Sequence, residues 1–576
     1  MNEPVKDVID DKGVTDVYPV TSLRDAEAGD DYDAEKDVKV DVHTQLYDGV
    51  QRKMEQRHMQ MIALAGTIGT GLFLNSGRII AHGGPVGALL AFITTGTIAY
   101  GTLMCLGEMA VYAPISGGYI HFAERWVNPA VGFAVGWQVT VQYCISMPSE
   151  MIAANILCSY WDTGFAVSHQ AAYITTFIVC GSLVNYFGAR WFGESEFWTD
   201  GRFATMKIIL VIILIITSLV IDLGGGPKKD RIGFRYWKDP GPFAPFYGDN
   251  NLGYFLGWFT DLVQAAGSYM GIEMVIVAAA EVRNPRVALK KAVKRLFWRI
   301  LIFYILLIFL VSLIVRYDDP ELLQSKGTAA SSPFVLAMKR AGIQGLPHFV
   351  NACVLLSAFS SGSSLMYSAS RMLYGMALRG YAPKFFAFTT RRGLPLYALM
   401  FTTCFYPLAY MSLSSGASTV FNWFSNLTAL SGYVVWVSTD IFEAETDDQA
   451  TIGVTYLRFK AGLAAHGIDR KTLHYANRFQ PFIAYYVIFW AVVILTFNGW
   501  QVFTKGNWDP SDFVIAYIPV PIFLTLVTGY TLVKRPKWQK PSELDMYSNI
   551  PTDEQVAYEE PKPKNAFQKV VQFVFT

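Results

Sequence analysis

Blocks of about twenty consecutive apolar residues recur along the chain, and they constrain its fold more than any other feature. An α-helix of that length crosses the hydrocarbon core of a bilayer, where only structures that bond all their own backbone groups are stable. Hydrophobic residues make up 52% of the 576 residues and charged residues only 16%, against about 25% charged residues in soluble domains. The sequence therefore predicts an all-α membrane protein.

Twelve of these blocks are predicted to span the membrane. They cover residues 59–80, 86–111, 131–157, 171–188, 204–223, 253–280, 296–315, 349–370, 395–414, 417–440, 481–500 and 513–533. Lys and Arg concentrate in alternate connections, such as residues 283–295 and 371–392, which predicts that both termini are cytoplasmic. Residues 224–250 also carry Lys and Arg, although they fall on the opposite side, and are an exception to this pattern.

The chain divides into three regions. Residues 1–50 are rich in Asp and poor in large apolar residues, so they are predicted to be a disordered acidic cytoplasmic tail. Residues 51–533 form the twelve-helix domain, and residues 534–576 form a cytoplasmic C-terminal tail. Four lysines of the first tail are candidate attachment sites for the ubiquitin system, although a plain solvated tail is the simpler interpretation. These are Lys6, Lys12, Lys36 and Lys39.

The composition does not support several classes of function. All six cysteines fall within apolar spans and none has metal-ligand spacing, so neither a disulfide framework nor a metal site is expected. A formal net charge of +1 gives no field that would attract nucleic acid. A membrane-embedded enzyme is not favoured, because neither a nucleophile motif nor a phosphate-binding loop is present. No cofactor is expected.

Two of the spans have centres that are poor in helix formers. Span 1 reads GTIGTG over residues 66–71, and span 6 reads QAAGSYMGIE over residues 264–273. Each Gly costs about 1 kcal/mol relative to Ala inside a helix. Small residues of this kind form either a close packing face between helices, which the spacing of Gly267 and Gly271 would suit, or an interruption of the helix at a ligand site.

The positions of the two interruptions favour a ligand site. Spans 1 and 6 would be the first helices of two five-helix repeats, and paired interruptions at corresponding positions are typical of the substrate site of a secondary transporter. Glu273 adds a carboxylate near the middle of span 6, where an ionisable group is costly and usually functional. A substrate site formed by both interruptions is therefore predicted.

Several segments of the chain resemble a known family. They read GTIGTGLFLNSG (66–77), GGP (83–85), LGEMAVYAPISGGYIHFAERWVNPAVGFAVGW (106–137), MGIE (270–273), AAAEVRNPR (278–286), SRMLYGMALRGYAPKFF (370–386) and FNWFSNLTALSG (421–432). Together they are similar to the fungal amino acid permeases, which are the yeast amino acid transporter family of the amino acid–polyamine–organocation superfamily. The resemblance extends over residues 50–540, leaving only the tails outside it.

This resemblance implies a fold and a function. The expected fold has twelve transmembrane helices, arranged as a five-plus-five inverted repeat with broken helices 1 and 6, plus two C-terminal helices. The expected function is proton-coupled uptake of amino acids across the fungal plasma membrane. The alternatives are an amino acid sensor or receptor on the same fold, and a transporter of related amines such as polyamines, 4-aminobutyrate or choline.

The predicted substrate site rests on the backbone of the two interruptions. A helix N-terminus offers free N–H groups and a C-terminus offers free carbonyls. We therefore expect the substrate carboxylate at residues 67–71, and the ammonium at carbonyls of residues 63–66 and 266–268. Spans 3, 6, 8 and 10 are expected to line the pocket. The predicted site residues are Gly66, Thr67, Ile68, Gly69, Thr70, Gly71, Ala266, Gly267, Ser268 and Tyr269.

Some of these side chains have a simpler interpretation. The hydroxyls of Thr67, Thr70 and Ser268 either supplement the substrate contacts or bond back to their own helix. Tyr269 resembles the aromatic gate position of the family, but it would equally suit a core aromatic residue. These alternatives stay open at the level of the sequence.

Three residues are candidates for proton coupling, which needs a group that titrates as the conformation changes. Glu273 is the first candidate, because burial disfavours its ionised form. Glu150 in span 3 is the second. Lys207 in span 5 is the third, although an end-of-helix lysine that reaches toward the interface is the simpler interpretation. Glu108 and Glu281 are expected to be structural, because they lie at helix ends beside basic connections.

The sequence departs from the family pattern at three places. Residues 199–202 interrupt a segment that is continuous in the family. Residues 439–451 are extra and include the acidic residues Glu443, Glu445, Asp447 and Asp448, so they form either a cytoplasmic loop or retained intron sequence. Ser363 stands where the family typically has Asn, so the substrate pocket is expected to differ from the family pattern at this position.

Overall fold

Helices form nearly all the regular structure of the chain, as the recurrent apolar blocks require. The computed structural model describes residues 70–114, 118–162, 166–186, 201–273, 275–276, 282, 284–323, 332–390, 394–438, 455–548 and 550. No β-strand occurs within these ranges. The acidic tail predicted at residues 1–50, the substrate residues 66–69 and the extra residues 439–451 lie outside them.

The α-helices are numbered in chain order. They are α1 (Gly71–Tyr112), α2 (Gly118–Trp126), α3 (Pro129–Cys158), α4 (Val167–Tyr186), α5 (Gly201–Asp222), α6 (Arg235–Lys238), α7 (Asn251–Tyr269), α8 (Pro285–Arg299), α9 (Leu307–Ile314), α10 (Pro320–Leu323), α11 (Pro333–Arg340), α12 (Gly345–Leu378), α13 (Leu396–Thr403), α14 (Ser412–Ser415), α15 (Ala417–Ser438), α16 (Thr455–Ala465), α17 (Phe482–Phe497), α18 (Pro510–Tyr517) and α19 (Pro519–Lys534). A π-helical segment (Ile300–Leu306) joins α8 to α9. Short 3₁₀ turns lie at Lys384–Ala387, Tyr406–Met411, Arg470–Thr472, Trp500–Phe503 and Pro541–Glu543.

Six of the described helical segments are long and apolar enough to cross a membrane. They are Gly71–Tyr112, Val167–Tyr186, Pro285–Ile314, Gly345–Leu378, Leu396–Ser415 and Phe482–Phe503. The pair α18 and α19, bent by 51°, would make a seventh. The remaining predicted spans whose residues are described coincide with α3, α5, α7 and α15. The count of twelve spans and the inverted repeat stay predictions.

A sharp turn at Gly84 divides α1 into the end of predicted span 1 and the whole of predicted span 2. Gly84 has φ 73° and ψ −178°, which is not helical. The N–H of Val86, which follows Pro85, donates to the carbonyl of Pro242 at 2.9 Å. The turn is therefore tied to the segment between α6 and α7.

We predict that Gly84→Ala destabilises the protein by about 2 kcal/mol or more, since a positive φ disfavours any side chain and the new methyl group would also overlap the backbone. A Cβ there would lie 2.6 Å from the amide nitrogen of Ala244. The measurement is the melting midpoint of the detergent-solubilised protein. Gly375→Ala is the matched control, because a Cβ at Gly375 meets nothing within 4 Å. Equal midpoints for the two variants would contradict the prediction.

The interruption predicted in span 6 coincides with the end of α7. The helix stops at Tyr269, Met270 is extended with φ −62° and ψ 143°, and Gly271 has φ 92°. A positive φ of this size suits Gly and is strained for other residues. The chain thus leaves the helix within the QAAGSYMGIE segment.

Glu108 has the structural role expected for it. The fully buried carboxylate accepts hydrogen bonds from the hydroxyl of Tyr456 at 3.0 Å and from Nε of Arg470 at 2.5 Å. The N–H of Asn477 donates to it at 3.1 Å. Removing one partner of a buried ion pair costs several kcal/mol, so Glu108 holds α16 and the segment after it against α1. Glu281, expected to act in the same way, lies outside the described residues.

The beginning of the predicted C-terminal tail packs into the helical domain. Leu544 and Met546 are buried, and the hydroxyl of Tyr112 donates to the carbonyl of Met546 at 2.8 Å. Nη2 of Arg125 lies 3.1 Å from Oδ1 of Asp545. Burial opposes ionisation of Asp545, but the N–H of Ser548 and the charge of Arg125 outweigh it, so the pKa of Asp545 is lowered. The predicted boundary at residue 534 therefore separates predicted span 12 from a C-terminal segment that packs against the helical domain.

Candidate functional site

A cavity lies where the start of α1 meets the end of α7. Its wall is completed by α3, α12 and α15, so residues of the predicted spans 3, 6, 8 and 10 contribute to the described wall. The space open to the centre of a water molecule is about 80 Å³. One water needs about 10–15 Å³ of such space, so the cavity suits roughly six waters or a small solute. The lining residues are Thr70, Gly71, Gln142, Tyr143, Ser146, Ser149, Glu150, Gly267, Ser268, Met270, Gly271, Ser361, Ser364, Leu365, Phe421, Ser425 and Thr428.

The ends of the two helices touch at this cavity. A Cβ added to Gly71 would lie 3.3 Å from the carbonyl oxygen of Gly267 and 3.3 Å from Cα of Ser268. The first N–H groups of α1 and the last carbonyls of α7 have no partner within their own helices. The positive end of one helix dipole and the negative end of another therefore face the same small space. Close packing and a polar site thus occur together at these glycines.

Glu150 is held at the cavity wall by two hydroxyl groups. Oγ1 of Thr70 donates to Oε2 at 2.9 Å, and Oγ of Ser361 donates to Oε1 at 3.2 Å. Lys207 on α5 is fully buried, and its positive charge acts on the Glu150 carboxylate. Among the described lining residues Glu150 is the only charged one. Its carboxylate links the start of α1 to α12 through α3.

The structure brings five of the predicted residues to the cavity. Thr70, Gly71, Gly267, Ser268 and Glu150 all line it. The hydroxyl of Thr70 bonds to Glu150, and that of Ser268 is buried without a partner in the part of the chain that the structure describes, so neither bonds back to its own helix. Gly66, Thr67, Ile68 and Gly69 lie outside the described residues.

Tyr269 and Ala266 are fully buried and are not part of the wall. The hydroxyl of Tyr269 donates to the carbonyl of Phe92 at 2.9 Å, and its ring centre is 4.5 Å from that of Tyr304. Successive residues of an α-helix point about 100° apart, so Ser268 facing the cavity turns Tyr269 toward the core. Tyr269 therefore contacts core residues in this structure, and its role as an aromatic gate stays a prediction.

Glu273, ranked first for proton coupling from the sequence, is buried but does not line the cavity. Only 4% of Glu273 is exposed, and its Oε2 has no hydrogen-bond partner within the described ranges. The chain turns at Gly271, which carries Glu273 beyond the wall. Of the two acidic candidates, Glu150 lies at the cavity and Glu273 does not, and their roles in proton coupling stay predictions.

Other lining residues were missed from the sequence. Gln142, Ser146 and Ser149 lie three or four positions apart on α3, and they share one helix face with Glu150, which was already a candidate from the sequence. That polar stripe inside an apolar span is a signal that would have found them. Oγ of Ser146 also lies 2.9 Å from Oγ1 of Thr428, which joins α3 to α15 across the cavity.

Ser363, the departure from the family pattern in span 8, lies away from the cavity. Nδ2 of Asn185 donates to Oγ of Ser363 at 3.0 Å and to its carbonyl at 3.3 Å. Its neighbours Ser361 and Ser364 line the wall instead. The substitution therefore changes a contact between α4 and α12 and not the cavity surface.

Comparison with known proteins gives one consistent result. A family model described as amino acid permease matches residues 58–542. The dicarboxylic amino acid permease of Saccharomyces cerevisiae is 37% identical over 504 residues, covering 87% of this chain and 80% of the relative. The proline-specific permease of Emericella nidulans is 36% identical over 546 residues, covering 93% and 95%. The lysine-specific permease of Saccharomyces cerevisiae is 34% identical over 540 residues, covering 93% and 85%.

A solved structure shares the fold at low sequence identity. The crystal structure of a manganese transporter from Eremococcus coleocola aligns with a TM-score of 0.50 and 11% identity, over 85% of this chain and 98% of that chain. At this identity the likeness concerns the architecture alone.

Proposed function

Since the chain belongs to the amino acid permease family, we propose that it is a proton-coupled symporter that imports amino acids across the plasma membrane by alternating access. The observation that carries this proposal is the polar cavity at the facing ends of α1 and α7. In the proposed orientation both termini are cytoplasmic, so α1 runs outward from the cavity to the turn at Gly84. The lysines of the first tail stay candidates for regulation by the ubiquitin system.

The facing helix ends suit the two charges of an amino acid. The carboxylate would accept from N–H groups at Thr70 and Gly71, where the positive end of the α1 dipole favours an anion. The ammonium would donate to carbonyls at residues 266–268, where α7 ends. The unpartnered hydroxyl of Ser268 is placed to add one more hydrogen bond.

Glu150 is the group that we propose couples transport to protons. Its carboxylate lies one hydrogen bond from Thr70, beside the proposed position of the substrate carboxylate. Two carboxylates that share a confined site cannot both stay ionised without a large repulsion. Substrate binding would therefore require a proton on Glu150, and both would cross together. Glu273 and Lys207 stay secondary candidates, because neither lines the cavity.

The cavity favours small or medium-sized neutral amino acids. A side-chain carboxylate would find no Lys or Arg among the described lining residues, and an unpaired buried charge is costly. Hydroxyl and amide groups from Ser146, Ser425, Thr428 and Gln142 suit an uncharged substrate. The relatives carry three different printed specificities at similar identity, so the cavity is the better guide to the substrate class.

The test is uptake of radiolabelled alanine in a host that lacks its own amino acid permeases, with and without an uncoupler. We expect accumulation that the uncoupler abolishes. Unlabelled serine or proline should compete at least about tenfold better than glutamate, which corresponds to about 1.4 kcal/mol. Better competition by glutamate would contradict the substrate class only. Saturable binding without accumulation would favour a receptor, and uptake of polyamine, 4-aminobutyrate or choline alone would favour an amine transporter.

A further inference from the structure

A second polar cluster lies between α1 and α7, outside the cavity wall. Asp261 on α7 is 0% exposed, and neither of its carboxyl oxygens has a hydrogen-bond partner among the described residues. Nδ1 of His82 on α1 lies 4.0 Å from Oδ1 of Asp261. The function proposed above uses neither residue. An acidic group this deeply buried without a donor calls for a specific explanation.

The cluster is closely packed on both helices. A Cβ added to Gly83 would lie 2.1 Å from Oδ2 of Asp261, so the carboxyl group fits directly against the backbone of α1. Gln264, one turn after Asp261, places Nε2 3.5 Å from Nδ1 of His82, and no described residue bonds to its Oε1. The imidazole ring of His82 is covered by Phe246, with ring centres 4.3 Å apart. Separation of α1 from α7 would open this cluster to water.

Three titratable or charged groups face Asp261 from the elements packed around it. His82 and Arg78 belong to α1, and Tyr247 belongs to the segment between α6 and α7. Arg78 is exposed, and its guanidinium group gives no hydrogen bond to the Asp261 carboxyl group. The positive charge of Arg78 also interacts with Tyr247 and with Asp512. The nearest group that can exchange a proton with Asp261 is therefore His82.

A buried carboxylate without donors is unfavourable unless it is neutralised. In the closed packing of α1 against α7 the Asp261–His82 pair therefore holds one proton, whichever residue carries it. When the two helices separate and water reaches the pair, Asp261 ionises and His82 is neutral at pH 7. Closing the helices thus takes up one proton, and opening them releases it.

We propose that the Asp261–His82 pair is a second proton-binding site, which takes up one proton from the extracellular side as the outer halves of α1 and α7 close over the cavity. This inference rests on the proposed transport function and its orientation. The pair returns its proton to the same side when the helices reopen, so it sets the pH dependence of closure and not the number of protons transported. Glu150 carries the coupled proton separately.

The test is the number of protons taken up per bound alanine, measured with a pH indicator in weakly buffered detergent solution near pH 7. We expect two protons for the wild-type protein and one for Asp261→Asn, because Asn is neutral in both conformations. In cells, the KM for alanine should rise about 100-fold per pH unit above pH 7 for the wild type and about tenfold for the variant, since each linked proton contributes a factor of ten per unit.

Asp249→Asn is the matched control, because Asp249 is an exposed acid just before α7. The Asp249→Asn variant should take up two protons per bound alanine, like the wild-type protein. If Asp261→Asn also takes up two protons, the inference is overturned while the proposed function stands. If the wild-type protein binds alanine without taking up any proton, the result contradicts the proton coupling of the proposed function instead. If Asp261→Asn does not fold, Asp261→Ser supplies the second variant, because Ser also removes the carboxyl group, and a wild-type proton count from it overturns the inference.

Discussion

Replacing Glu150 with Gln is expected to reduce the steady-state accumulation of a neutral amino acid by about 50-fold at a membrane potential of about 100 mV. One positive charge crossing 100 mV is worth about 2.3 kcal/mol, and each 1.36 kcal/mol is a factor of ten. The Gln side chain keeps the size of Glu150 and can still accept from Thr70, but it carries no transferable proton. Exchange of labelled for unlabelled amino acid should continue, because that reaction needs no net proton movement.

The experiment compares accumulation and exchange in vesicles that hold an imposed potential. Ser361→Ala is the control, since it removes one hydrogen bond to Glu150 and leaves the carboxyl group in place. It should retain accumulation. Full accumulation in Glu150→Gln would return Glu273 to the first position among the candidates. Loss of exchange as well as accumulation would indicate that Glu150 binds the substrate ammonium instead.

Replacing Gly71 with Val is expected to reduce uptake about 100-fold or more, which is the scale of loss that a misplacement of about 1 Å causes at a reacting site. The first new carbon would lie 3.3 Å from the carbonyl oxygen of Gly267 and 3.3 Å from Oγ of Ser268. The branched methyl groups would then occupy the space between the helix ends that the substrate needs. The fold should survive, because the new atoms enter a cavity.

The measurement pairs initial uptake rates with the amount of protein at the cell surface. Gly375→Val is the matched control, because a Cβ at Gly375 meets no atom within 4 Å and the residue is far along α12 from the cavity wall. It should transport at close to the wild-type rate. Normal uptake by Gly71→Val would return this glycine to a role in helix packing alone.

The helical segments follow from the sequence because the requirement of the bilayer is local. An apolar block must satisfy its own backbone groups within the hydrocarbon, and only a helix of adequate length does so. The predicted span 131–157 accordingly lies within α3, and the predicted span 349–370 lies within α12. The interruption in span 6 could also be predicted from the sequence, because Gly tolerates backbone conformations that end a helix. The structure shows such a conformation, with a positive φ, at Gly271.

The sequence alone could not show whether Glu150 or Glu273 lies at the cavity. Both are carboxylates inside apolar spans, and each is costly to bury. Which one reaches a cavity depends on the rotation of its helix and on the helices beside it. The hydroxyls of Thr70 and Ser361 come from residues 80 and 211 positions away from Glu150 in the chain. No pattern within one span contains that information.

The sequence by itself determined the helical nature of the apolar segments, the interruption of span 6 and the membership of the amino acid permease family. Only the tertiary structure decided which side chains share the cavity, that Tyr269 contacts core residues, and that Asp261 meets His82 without a hydrogen bond. The physical reason is the range of the forces. Helix formation and membrane insertion are set by neighbouring residues, whereas a site for a charged solute depends on contacts between helices that are distant in the chain.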